Sequence, residues 1–107
     1  MSDEPDRRYR VELAQAAEQE LDELRAFDAR PIVRAIGALE QQAETSTRNR
    51  RPLRRPIAGV ARASWEIRVG DYRILYEVRK DRVVRVLRVI FKGRLPMDEA
   101  AGGSRRE

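Results

Sequence analysis

The chain has no cysteine and no histidine among its 107 residues. Without cysteine it can form neither a disulfide framework nor a thiolate nucleophile. Without histidine, imidazole acid–base catalysis, the usual nucleophilic triads and most zinc sites are excluded. Any catalysis must therefore use other side chains, and we expect neither a metal nor another cofactor.

Long apolar segments are also missing. No apolar run approaches the ~20 residues of a membrane span, and the N-terminal sequence MSDEPDRRYR lacks the apolar core of a signal peptide. We therefore expect a cytoplasmic protein with no membrane partner. The length predicts a single domain, residues 1–94, followed by a mobile tail, residues 95–107, that gains glycine and serine.

Positive charge is abundant but unevenly placed. The net charge is +5, and only Lys80 and Lys92 are lysines, so arginine supplies most of it. Residues 1–44 hold six basic and eleven acidic residues, whereas residues 45–94 hold fifteen basic and four acidic residues. This asymmetry suggests a polyanionic partner for the second part of the chain. A solvated, arginine-rich surface without such a partner is the alternative.

The N-terminal part changes its apolar period from two to between three and four. Tyr9, Val11 and Leu13 alternate with polar residues, which predicts a short strand. The segments Ala14–Phe27 and Pro31–Glu44 then have the spacing of amphipathic helices, with a break between them. The first helix has an apolar stripe formed by Ala17, Leu21, Leu24 and Phe27. The short link predicts an antiparallel helical hairpin that covers one face of a sheet.

Residues 63–94 predict the rest of that sheet as three consecutive strands. Gly70-Asp71 interrupts an alternating pattern and suits a two-residue type II′ turn. This turn places Val69 opposite Tyr72 and Arg68 opposite Arg73. Like charges directly across a strand pair are destabilising, so an anionic partner is expected to favour the arginine pair.

The turn near Lys80-Asp81 lacks glycine, so its length is less constrained. If it is also a two-residue turn, Arg73 meets Arg88. Arg68, Arg73 and Arg88 then form a row on one face, with Lys92 further along it. Apolar residues are expected between these charges, namely Leu75, Val84, Val86 and Ile90. Trp65, Tyr72 and Tyr76 are expected on the opposite, apolar face, against the helices.

The connection TSTRNRRPLRRPIAGVAR, residues 45–62, carries two prolines and a glycine that argue against regular structure. Its apolar residues, Leu53, Ile57 and Val60, are expected to pin it to the core. Its arginines can form a phosphate-contacting arm that continues onto the sheet. The candidate nucleic-acid-binding residues are Arg48, Arg50, Arg51, Arg54, Arg55, Arg62 and Arg88. An exposed basic loop without such a role is the alternative.

Three stretches carry a family resemblance: YRVELAQAAEQELDEL, WEIRVGDYRILYEV and VVRVLRVIFKGR. Over residues 8–94 the chain resembles the RelE/ParE superfamily of bacterial toxin–antitoxin toxins. The resemblance implies an α+β fold, with an N-terminal strand and a helical hairpin packed on an antiparallel sheet that ends in a three-stranded meander. It also implies a cognate antitoxin as partner.

The two branches of this superfamily differ in target. RelE-like members cleave mRNA in the ribosomal A site, and ParE-like members poison DNA gyrase. By resemblance, Arg73 matches an arginine that contacts the scissile region in the nucleases, and Arg68 matches a further basic position. Glu66 stands where well-studied nucleases carry a lysine, and Lys92 or Arg94 could supply the last basic residue. The tail has neither the tyrosine nor the histidine of many active members.

RNA cleavage by 2′-oxygen attack needs a base, an acid and stabilisation of the charged intermediate. Arg68 and Arg73 suit the last task, and Lys92 or Glu66 could act as base or acid. Together with these residues, the resemblance implies a metal-independent endoribonuclease that the ribosome helps by orienting the mRNA. The alternative is a gyrase poison or a catalytically weak toxin that acts by binding. In either branch the basic face could also take an amphipathic, acidic antitoxin segment.

Overall fold

The computed structural model describes residues 8–94, with only the backbone of Arg94, so the predicted tail lies outside the described residues. Helices cover one face of a five-stranded sheet, which confirms the predicted α+β fold. The helices are α1 (Gln15–Asp22), α2 (Ala26–Gly37) and α3 (Leu39–Gln42). The strands are β1 (Arg10–Leu13), β2 (Arg50–Pro52), β3 (Trp65–Val69), β4 (Tyr72–Arg79) and β5 (Val83–Phe91). Short 3₁₀ turns follow β4 and β5, at Lys80–Arg82 and Lys92–Arg94.

The strand order is β1-β5-β4-β3-β2. The predicted meander β3-β4-β5 is antiparallel, and β1 is added parallel to the outer side of β5. The far edge is β2, which lies in the connection that we predicted to be irregular. Arg50–Pro52 is too short to show a period, and it forms a strand because β3 offers it an edge.

The break between the first two helices comes earlier than predicted. Glu23–Arg25 separates α1 from α2, and Pro31 lies inside α2 rather than in its first turn. Pro31 is exposed, so its ring is accommodated on the solvent side of the helix. The earlier start of α2 also rotates Phe27 out of the predicted apolar stripe. Phe27 is 80% exposed, and its assignment to the core was wrong.

The main core lies between the helices and one face of the sheet. Trp65, Tyr72 and Tyr76 point into it, as expected. Tyr76 is fully buried, and its ring stacks on that of Trp65. Val84 and Val86 also lie in this core, so their expected place among the charges of the other face was wrong.

A second, smaller core lies on the opposite face of the sheet. Ile57, Val60 and Ala63, from the connection before β3, pack there against Leu75 and Ile90. All five are at least nine-tenths buried. The connection is therefore pinned as predicted, but it also covers apolar residues that we expected to be exposed on the basic face.

The first hairpin has the predicted register. Val69 pairs with Tyr72, and Arg68 pairs with Arg73. Gly70 has a φ of +57°, and it supplies the left-handed first position that a type II′ turn requires.

The second hairpin differs from the prediction. Its turn contains three residues, with left-handed φ values of 64° at Asp81 and 59° at Arg82. A bulge between Leu75 and Tyr76 then shifts the register again. As a result Arg73 pairs with Ile90, and the predicted row of three arginines does not exist.

Tyr76 should also make the stability of the fold depend on pH in the alkaline range. Its hydroxyl donates a hydrogen bond of 2.6 Å to the carbonyl oxygen of Ala43, and burial raises its pKa above the ordinary value of 10.0. Tyr76 therefore ionises at a lower pH in the unfolded chain than in the folded protein. Ionisation then favours the unfolded chain, so the free energy of unfolding falls as pH rises from about 10. Urea unfolding should show the free energy of unfolding falling by up to about 1.4 kcal/mol per pH unit there.

Tyr76→Phe is the matched variant for this prediction. It should lower the free energy of unfolding by about 1 kcal/mol at neutral pH, since it removes one buried hydrogen bond. It should also remove most of the alkaline slope. Tyr9 leaves a remainder, because burial and its hydrogen bond to Glu44 raise its pKa as well. Equal alkaline slopes in the variant and the parent protein would contradict the prediction.

Candidate functional site

Three neighbouring strands bring arginines together on the face of the sheet opposite the helices. Alternation along β3 and β4 places Glu66, Arg68 and Arg73 on this face. Arg51 joins them because it pairs with Glu66 across β2 and β3. With the start of the connection, these residues enclose a surface cleft, here called the arginine cleft. Its lining is Arg51, Pro52, Leu53, Arg54, Arg55, Glu66, Arg68 and Arg73.

Glu66 is the centre of the arginine cleft, and its side chain is only 5% exposed. Its Oε2 accepts a hydrogen bond from Arg51 Nε at 3.1 Å and lies 3.9 Å from Arg68 Nε. Its Oε1 accepts a hydrogen bond from Arg73 Nη1 at 3.2 Å. Glu66 thus supplies from within the chain the negative charge that stabilises the facing pair of Arg68 and Arg73, so the pair does not require the external anionic partner that the sequence suggested.

The arginine cleft has a strong excess of positive charge. Among the described residues that line it, five are arginines and Glu66 is the only carboxylate. Guanidinium groups remain charged at any physiological pH and match phosphate oxygens in geometry. The cleft is therefore suited to bind phosphate groups, and it can stabilise negative charge that develops on them.

The other predicted arginines of the connection lie elsewhere. Arg48 is exposed in the loop before β2. Arg50 is buried, and its Nη1 donates to Gln42 Oε1 at 3.1 Å and to the carbonyl oxygen of Thr45 at 3.3 Å. The next residue, Arg51, lies in the cleft, so strand alternation turns Arg50 to the helix side. Arg50 thus holds the loop that precedes β2.

Two more predicted site residues pair with carboxylates outside the cleft. Arg62 lies 3.9 Å from Glu77 Oε2, and Lys92 Nζ lies 3.6 Å from Asp71 Oδ1. Lys92 stands at the hairpin end and is not among the residues that line the cleft. The side chain of Arg94 lies outside the described residues.

Arg88 is placed at the edge of β5, beyond the end of β1. Its Nη2 and Nε donate to Glu20 Oε2 of α1 at 2.6 and 2.8 Å. The other oxygen of Glu20 accepts the backbone N–H of Val89 at 2.7 Å. Glu20 therefore caps an unpaired strand edge, and Arg88 neutralises it. The grouping of Arg88 with Arg68 and Arg73 was wrong, because the longer turn and the bulge together place it opposite Leu75, two positions from Arg73, where it binds Glu20.

Within residues 8–94, no cluster of three or more potential metal ligands is present. In the same range, no helix is both long and apolar enough to cross a membrane.

Comparison with known proteins identifies the family. A family model described as "ParE toxin of type II toxin-antitoxin system, parDE" matches residues 11–96. The chain belongs to this ParE toxin family. The match covers the sheet, the helices and the arginine cleft, and it confirms the resemblance to the RelE/ParE superfamily. No curated protein sequence matches this toxin.

Two solved structures of related complexes share the fold of this toxin. A chain of the RelBE2 toxin–antitoxin complex from Mycobacterium tuberculosis aligns with a TM-score of 0.61 and 29% identity. That alignment covers 78% of this toxin and 98% of the other chain. A chain of the archaeal RelE–RelB complex from Pyrococcus horikoshii aligns with a TM-score of 0.64 and 26% identity. It covers 80% of this toxin and 97% of the other chain.

Proposed function

We propose that this toxin inhibits translation by cleaving mRNA on the ribosome, and that the arginine cleft holds the scissile phosphate. The observation that carries the proposal is the convergence of five arginines in one cleft opposite the helices, three of them against the carboxylate of Glu66. Two of them, Arg68 and Arg73, face each other across β3 and β4. Such a site can stabilise the extra negative charge of the pentavalent phosphorus intermediate.

The side chains of the cleft are better suited to stabilising negative charge than to transferring protons. Glu66, the only carboxylate that lines it within residues 8–94, has both oxygens engaged by arginines. Its side chain is also only 5% exposed, so a ribose hydroxyl can reach Glu66 only if the arginines around it move aside. The ribosome supplies the orientation of the mRNA, which can replace much of the missing acid–base contribution. Cleavage of free RNA is accordingly expected to be slow.

A cognate antitoxin is the second proposed partner. Both aligned structures are toxin–antitoxin complexes. The excess charge of the arginine cleft suits an acidic antitoxin segment, because complementary charge favours and orients association. Of the four apolar anchors predicted for this segment, Leu75, Val84, Val86 and Ile90, none is exposed. The segment must therefore be held in the cleft mainly by charge.

Poisoning of DNA gyrase is the alternative function. It is favoured by the description of the matched family model as a ParE toxin. The engaged state of Glu66 agrees with it too, since a gyrase poison needs no proton transfer. Under this alternative the arginine cleft is a binding surface and not a nuclease site.

Expression of the toxin alone in bacteria separates the two functions. We expect growth arrest within minutes of induction, loss of amino-acid incorporation and new mRNA 5′ ends within coding regions. An early DNA-damage response with intact mRNA would overturn the nuclease proposal and support the gyrase alternative. Co-expression of the cognate antitoxin should restore growth in either case, so it serves as the control for specific toxicity.

A further inference from the structure

Glu66 is held unequally by its three arginines. The side chain of Arg73 is 19% exposed, whereas those of Arg68 and Arg51 are 44% and 54% exposed. Arg73 donates its hydrogen bond to Oε1, whereas Arg51 donates to Oε2 and Arg68 lies nearest to Oε2. The pair Glu66–Arg73 is therefore the inner part of the cluster, and Arg51 and Arg68 form its outer, solvent-facing part.

The outer arginines keep most of their hydrogen-bonding capacity. A guanidinium group has five N–H donors. Arg51 directs its Nε to Glu66 at 3.1 Å, and the Nε of Arg68 lies 3.9 Å from the same oxygen. Three cations share one anion, so the cluster as a whole retains positive charge. A second anion can therefore bind in the cleft to Arg51, to Arg68 and to the remaining donors of Arg73, while Nη1 of Arg73 stays with Glu66.

We infer that Glu66 is an internal counter-anion of the arginine cleft. In the free toxin Glu66 occupies guanidinium donors that an RNA phosphate takes over on binding. This inference rests on the proposed function of the cleft. Glu66 keeps three like charges together, since without it Arg68 and Arg73 face each other unneutralised. It also competes with the incoming phosphate, and so it limits affinity for RNA. Its role is that of a positioning residue, in place of the base that the sequence suggested.

The test uses the full-length toxin and a short single-stranded 2′-O-methyl RNA, which cannot be cleaved by 2′-oxygen attack. Glu66→Gln keeps the size of the side chain and removes its charge. We expect Glu66→Gln to bind this RNA about five- to tenfold more tightly than the parent toxin at low salt. The dependence of log affinity on log salt concentration should steepen by about 0.7, which corresponds to one more neutralised phosphate.

Glu77→Gln is the matched control. Glu77 lies on the same face of β4 as Arg73, its side chain is largely buried, and it pairs with Arg62 at 3.9 Å. The control changes the net charge by the same amount, but at a carboxylate that does not line the arginine cleft. Equal gains in affinity for the two variants would overturn the inference, because net charge alone would explain them. Weaker binding by Glu66→Gln would overturn it as well.

Thermal unfolding with inorganic phosphate gives an independent reading that does not depend on RNA. Glu66→Gln should unfold at a lower temperature than the parent toxin, and phosphate should raise its unfolding temperature more than that of the parent. Glu66→Asp, which keeps the charge, should return both measurements towards the parent values. If phosphate stabilises both proteins equally, Glu66 has only a structural role. If phosphate acts as expected but no protein binds the RNA, the proposed RNA site fails while the role of Glu66 stands.

Discussion

Arg73→Ala should abolish growth inhibition by the toxin and lower the rate of mRNA cleavage by about 10²–10³-fold. A loss of this size is usual when one hydrogen-bond donor to a developing negative charge is removed. Arg73 is the least exposed arginine that contacts Glu66, and it is fixed by its place in β4. Its position is therefore better defined than that of the arginines on the connection. Induction followed by mapping of mRNA 5′ ends gives the cleavage rate in the cell.

Arg79→Ala is the control for Arg73→Ala. Arg79 is exposed, lies on the same strand and face, and stands six positions further along, outside the cleft lining. It should leave toxicity unchanged. Arg73→Lys keeps the charge without the planar two-nitrogen donor and should recover only part of the activity. A folded Arg73→Ala toxin that still cleaves mRNA at the parent rate would contradict the assignment of the scissile phosphate to this cleft.

Ile57→Ala should lower the free energy of unfolding by about 2–5 kcal/mol, as truncation of a fully buried isoleucine does. Ile57 is 1% exposed and packs in the second core with Leu75 and Ile90. This core fixes the connection that carries Arg54 and Arg55, so its loss should also disorder one wall of the arginine cleft. Hydrogen exchange should show faster exchange between β2 and β3 than in the parent toxin.

Ile32→Ala is the control that distinguishes a general loss of stability from the loss of one wall of the arginine cleft. Ile32 is fully buried between α2 and the sheet, on the opposite face from the cleft. It should destabilise the toxin by a similar amount, yet leave RNA affinity unchanged at temperatures where the protein is folded. Ile57→Ala should weaken RNA binding under the same conditions. Equal RNA affinities in the two variants would show that the second core does not position the arginines.

The local features of the fold could be read from the sequence because they depend on neighbouring residues. The turn at Gly70-Asp71 specified its own register, so the facing pair Arg68 and Arg73 was predicted correctly. The register of the second hairpin was not predicted correctly, because neither its three-residue turn nor the later bulge has a clear signal in the local sequence. A shift of one residue exchanges the two faces of a strand, and the turn moved Val84 and Val86 in this way. The turn and the bulge together displaced Arg88 by two positions, from Arg73 to Leu75.

In the helical part, too, local features were predicted correctly and features that depend on tertiary contacts were not. Apolar spacing predicted two amphipathic helices, but the position of their break depended on how α2 meets the sheet. Phe27 belongs to the predicted stripe of the first helix, and the structure places it in α2, where it is exposed. Likewise, β2 exists through its pairing with β3, so the contact between Arg51 and Glu66 could not be foreseen from a three-residue segment.

The sequence by itself determined the absence of histidine and cysteine chemistry, the basic second part of the chain, the helical cover and the first hairpin. Composition and short-range periodicity suffice for these properties. Only the tertiary structure decided which arginines converge, that Glu66 neutralises them, and that the connection buries the other face of the sheet. Those outcomes depend on strand register and on contacts between distant segments, and a single misplaced residue in a turn changes both.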